Sequence, residues 1–157
     1  MLMFQKIQWK ILIPAIVFPL AVGGLSALLN RTAIAGFASV TKPPLTPPAS
    51  VFPIVWTILY LLMGIASYLV LTSTGNKDTA LTFYALQLFF NFLWSFFFFR
   101  LQWYLFSFIW LLVLWLLILA TTAAFYRISR PAGLLMLPYL LWVTLAGYLN
   151  LGVYLLN

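Results

Sequence analysis

Five runs of about twenty apolar residues, none with a charged residue in its interior, leave this chain few folds to choose from. A helix needs ~20 residues to cross the ~30 Å of hydrocarbon in a bilayer. The runs cover about residues 11–29, 52–71, 80–99, 103–126 and 134–155. Hydrophobic residues make up 66% of the chain and charged residues 6%, too few polar groups to cover a domain standing in water. The strict apolar/polar alternation of a membrane barrel is absent. The chain therefore reads as all-α: a polytopic membrane protein, a five-transmembrane-helix bundle forming one domain over 1–157, with the lipid bilayer as its first partner.

The net charge of +7 does not point to nucleic acid, because the basic residues sit at the ends of the apolar runs and act as interfacial anchors. Five spans put the termini on opposite sides. Lys6, Lys10, Lys77, Arg127 and Arg130 fall on the N-terminal side, against Arg31, Lys42 and Arg100 on the other, which favours a cytoplasmic N-terminus. Met1 to Lys10 is a short basic tail. Followed by Ile11 to Leu29 and Ala33-Ile34-Ala35, it imitates a signal peptide, but the apolar centre exceeds the ~7–15 residues of such a leader, so it is read as a first span. Pro14 and Pro19 should kink that span, and Gly23, Gly24 and Ala27 offer a small-residue surface.

The chemistry missing from the chain is as telling. There is no histidine, no cysteine and one carboxylate, Asp78, so no acid pair, Ser-His relay, disulfide or metal cage can be built. Metal sites are expected to be none. Proton- or ion-coupled antiport and charge-selective conduction lack the ionisable group near the midplane that they require. No Lys or Arg follows Tyr148 or Tyr154 to complete a sterol-recognition pattern.

What remains is a proline-dense loop, 42–50, and three polar-aromatic faces. Pro43, Pro44, Pro47 and Pro48 exclude helix and central strand and predict a stiff lid, with Pro53 tolerated in the first turn of the next helix. At four-residue spacing the second run carries Phe52, Trp56, Tyr60 and Gly64, and the third carries Gln87, Asn91 and Ser95 beside Trp94. The fifth presents Trp142, Ala146 and Leu149 or Asn150, with Tyr139 one turn earlier. One reading is a cavity for a flat apolar ligand; the other is helix packing, with the amides as interhelical glue. Trp9, Trp103 and Trp110 are expected to face lipid or the interfacial belt. The third run has no Gly-x-x-x-Gly from which a dimer seam can be placed.

Taken in order, Gly23-Gly24-Leu25-Ser26-Ala27, the block from Lys42 to Pro48, Val55-Trp56-Thr57-Ile58-Leu59-Tyr60, and Gln87 with Asn91-Phe92-Leu93-Trp94-Ser95 make a specific pattern. Ala124-Phe125-Tyr126-Arg127 and Pro138-Tyr139-Leu140-Leu141-Trp142 with Leu149-Asn150 complete it. Together they resemble the TspO/translocator-protein family, the tryptophan-rich sensory proteins related to the peripheral-type benzodiazepine receptor. The resemblance implies a five-helix protein, commonly a homodimer, in a bacterial cell membrane. It implies a pocket under the proline loop that takes tetrapyrroles such as protoporphyrin IX and isoquinoline or benzodiazepine-type ligands, for sensing, scavenging or transport. Porphyrin would be a ligand, and no cofactor is implied. Carried over by position, Trp56 and Trp142 are the paired indoles, Asn91 the amide, and Ser95 and Ala146 wall positions, with Pro47, Phe52, Tyr60, Trp94 and Leu149 completing the wall. Some bacterial members promote light-dependent breakdown of protoporphyrin, which gives an enzymatic alternative with Trp56 or Trp142 as electron donor. Lys42 or Arg31 is the expected partner of the propionates. Three positions depart from the family pattern: Gly36-Phe37 stands where relatives often carry Trp-Tyr, and Leu45 where the loop usually holds an aromatic. The lid is thus expected to contribute shape more than chemistry.

Overall fold

In the computed structural model, residues 6–157 are described; Met1 to Gln5 of the N-terminal tail lie outside the described residues. Five long apolar helices are present: α1 (Trp9–Leu29), α3 (Val51–Leu71), α4 (Asp78–Ser95), α5 (Tyr104–Ile128) and α6 (Arg130–Leu156). A short helix, α2 (Arg31–Gly36), and a 3₁₀ turn (Phe37–Ser39) precede the proline loop. The protein is an integral multi-pass membrane protein, and each span lies within a few residues of its run in the sequence.

The differences at the ends have local causes. Asp78 in the first turn of α4 complements the helix dipole, so the helix starts ahead of the apolar run. Beyond Ser95 the Phe-rich end of α4 widens into a π turn, Phe96–Arg100, with Leu101 N–H reaching Phe96 O at 2.9 Å. Gln102, at φ +54°, then reverses the chain into α5. Ser129 alone separates α5 from α6, because Pro131 suits a first helical turn and lets α6 begin at Arg130 rather than near Leu134. Between the first span and the proline loop the chain stays largely helical. Asn30 makes a one-residue break, and α2 resumes helix from its carbonyl, Ile34 N–H to Asn30 O at 2.8 Å.

Around the bundle, α1 packs on α3, α3 on α6, α6 on α5, α5 on α4 and α4 back on α1. The expected antiparallel pairing of the third and fourth spans is α4 on α5. Lipid tails are as apolar as leucine, so close packing and polar contacts between helices must hold such a bundle together. Gly64 shows the packing term. A Cβ there would stand 2.6 Å from Ile16 Cα and 2.9 Å from Ala15 O. That carbonyl is the one Pro19, lacking an N–H, leaves without its helical donor, so the proline and the glycine together seat α1 on α3. Of the small surface expected on α1, Gly23 admits the Tyr60 ring, while Gly24 meets nothing.

Candidate functional site

Across the interior, α4 is joined to α3 and α6 by side chains. Tyr60 O–H donates to Asn91 Oδ1 at 3.2 Å, Asn91 Nδ2 to the Tyr139 hydroxyl at 2.8 Å, and Tyr139 O–H to Gln87 Oε1 at 2.7 Å. Gln87 Nε2 ends the chain 3.8 Å from Met63 Sδ. All five residues are buried. The four-residue spacing of Gln87 and Asn91 aims both amides inward from one face of α4. Polar groups in this setting are costly unless paired, and here each donor finds an acceptor.

Aromatic rings line this polar chain on the side towards the loop. Trp56 stacks on Tyr60 with centroids 5.6 Å apart and meets Tyr139 edge-on at 6.2 Å. Phe52, one turn nearer the loop, meets Trp142 edge-on at 5.7 Å. Trp56, Trp142, Ala146, Leu149, Ser95 and Pro47 are each half-buried. The rings fill the space by touching one another. Two grooves among the described residues, about 430 and 370 Å³, lie elsewhere, on the outer wall.

The loop above is stitched to the end of α6. Asn157 Nδ2 donates to Thr41 O at 2.8 Å, and Tyr148 O–H to Pro44 O at 2.8 Å. Pro43 is buried against Gly152, where a Cβ would fall 2.5 Å from the proline ring. Lys42 turns back on its own segment: its ammonium donates to Phe37 O and Val40 O at 2.9 Å and to Ala38 O at 3.3 Å, above the Phe37 ring. Its three protons are thereby used on carbonyls and not held out towards a carboxylate. Leu45 forms the tip, 84% exposed and at φ +68°, a left-handed conformation that costs a branched side chain free energy.

Trp94 belongs to a neighbouring node. Its indole N–H donates to Asn150 Oδ1 at 3.0 Å, and its ring stacks on Phe98 at 4.9 Å. Asn150 Nδ2 in turn donates to Tyr104 O at 2.8 Å, with Ser107 Oγ 3.2 Å from Asn150 Oδ1. Phe37 joins this node through Phe98 and Phe99, both with centroids at 5.3 Å, and so couples the lid segment to the π turn.

Trp9 and Trp103, at 60% and 52% exposed, face outward as expected. Trp110 does not. It is half-buried, donates to Phe90 O at 2.8 Å and stacks on the Phe90 ring at 4.1 Å, because α4 packs on α5 there, and Phe97 of the π turn meets it edge-on at 5.0 Å. The residue that sequence reasoning undervalued is Tyr139, the hub of the polar chain. Its place directly after Pro138, on the same face as Trp142, was the available signal.

Comparison with known proteins agrees with this architecture over nearly the whole chain. The model of the TspO/MBR family matches residues 15–155. The chain is similar to the tryptophan-rich protein TspO of Chlorobaculum tepidum, 40% identical over 124 residues, 77% of this chain and 78% of that one. It is 37% identical to the TspO protein of Archaeoglobus fulgidus over 149 residues, 93% and 96% of the two chains. To the translocator protein of Bos taurus it is 35% identical over 146 residues, 88% and 86%.

Proposed function

The chain belongs to the TspO/MBR family, and from that premise we propose that it is a membrane receptor that binds a flat, largely apolar ligand of the tetrapyrrole class between α3, α4 and α6, beneath the proline loop. The observation that carries this reading is the buried chain Tyr60–Asn91–Tyr139–Gln87 with Trp56 stacked at its edge. Indoles and phenols supply broad faces for a macrocycle, while the Asn91 amide supplies both a donor and an acceptor for its polar atoms. Because the rings occupy one another's space, binding has to part Trp56 from Tyr139 and Phe52 from Trp142. Ala146, with only a methyl group, leaves room on the α6 side. Ser95, Leu149 and Pro47 complete the wall, and Trp94 supports it from behind through Asn150. Isoquinoline and benzodiazepine-type ligands fit the same description. For propionates, Arg31, exposed at the start of α2, is the better-placed cation now that Lys42 is engaged, with the modest strength of an exposed pair.

Titration of the purified protein with protoporphyrin IX tests this reading. A shifted Soret band and quenched tryptophan fluorescence at micromolar ligand are expected; an unshifted band with unchanged fluorescence contradicts it. The Trp56–Tyr60 stack favours one further reading, light-driven degradation of bound porphyrin in which an indole gives an electron to the excited macrocycle and dioxygen is the final oxidant. If Trp56→Phe and Trp142→Phe leave the bleaching rate unchanged, the indoles are wall only.

A further inference from the structure

Two grooves on the outer wall open at the same end of the bundle, where α1, α4 and α6 begin and α3 and α5 finish. One, about 430 Å³, lies between α1 and the α3–α4 pair, walled by Pro14, Ala15, Phe18, Leu81 and Tyr84, with Lys10 at its polar end. The other, about 370 Å³, lies between α5 and α6, walled by Leu119, Ala123, Leu134 and Leu137, with Arg127 at its polar end. Each is a shallow, open groove with a mostly apolar lining that includes one cation. Trp9 and Tyr126, exposed beside those cations, are the aromatic residues that mark headgroup depth.

The charge balance says what the cations meet. The chain has eight Lys and Arg but a single acid, Asp78. At this end Lys77 donates to Leu71 O, and Arg130 lies over the Tyr126 ring at 5.9 Å. Asp78 is the single acid at this end against Lys6, Lys10, Lys77, Arg127 and Arg130, so most of their counter-charge comes from outside the chain. We propose that each groove holds an acyl chain of an anionic glycerophospholipid, with its phosphate on Lys10 in one and on Arg127 in the other. Basic pockets between helices at a membrane surface bind acidic headgroups in this way, and the residues involved are separate from those proposed for the tetrapyrrole. Failure of either reading leaves the other standing.

The test uses the full chain in detergent, exposed to phosphatidylglycerol or phosphatidylcholine and examined by native mass spectrometry. Two phosphatidylglycerol molecules per chain should be retained in preference to phosphatidylcholine. Lys10→Gln and Arg127→Gln should each remove one, with about fivefold weaker binding, from ~1 kcal/mol per basic residue near an acidic surface. Leu81→Trp, which fills the first groove and keeps Lys10, should also remove one, whereas Lys6→Gln should remove none. Equal retention of both lipids overturns the proposal, as does a Lys6→Gln effect equal to that of Lys10→Gln, which would mean diffuse charge without a site.

Discussion

Two buried asparagines, 91 and 150, carry out interhelical bonding in different ways. Asn150 on α6 holds a backbone carbonyl, Tyr104 O, and receives the Trp94 indole N–H, with the Ser107 hydroxyl in reach. Its partners cannot move without unwinding the start of α5 or displacing a stacked indole. Asn91 on α4 is bonded only to the hydroxyl tips of Tyr60 and Tyr139, each at the end of a ring that can swing. The same side chain is a clamp in one place and an exchangeable partner in the other. An amide whose partners are both side chains can release them to a ligand, as the proposed binding between α3, α4 and α6 requires.

The contrast can be broken by substitution. Asn150→Ala strands the Trp94 N–H and should have the largest effect on stability, about 2–3 kcal/mol, seen as a lowered Tm in detergent, with porphyrin affinity kept in the folded fraction. A drop no larger than that of Asn91→Ala would erase the distinction. Gly152→Val drives a side chain into Pro43 and should cost about 1–3 kcal/mol, with faster hydrogen exchange over residues 41–48 and little change elsewhere. Asn91→Ala should lower stability by about 1 kcal/mol yet weaken porphyrin binding about tenfold, the reverse weighting of Asn150→Ala. Smallest is Tyr139→Phe, which removes one hydroxyl between two amides and should cost about 0.6 kcal/mol, the average for a single interhelical hydrogen bond in a membrane.

The spans were legible because hydrocarbon thickness dictates their length, and the lid because four prolines in six positions permit little else. Which face of each helix turns inward was harder to read. Lipid is as apolar as the core, so apolar periodicity carries almost no information, and Trp110 could be misplaced as lipid-facing. The inward faces had to be read from polar residues. Gln87, Asn91 and Tyr60 gave correct directions that way, while Tyr139 was passed over because the four-residue stripe on α6 was registered on Trp142. The break at Asn30 and the short α2 fall outside the five apolar runs, so span length carries no signal for them.

In the proposed binding mode Trp56 and Trp142, and not the outward-facing tryptophans, meet the ligand. Soret titration of two double variants tests it most directly: Trp56→Phe with Trp142→Phe, and Trp9→Phe with Trp103→Phe. The interior pair should weaken protoporphyrin IX binding by about tenfold or more, as expected for lost aromatic contact area, while the exterior pair binds like the unaltered protein. Equal affinities in the two variants would contradict it.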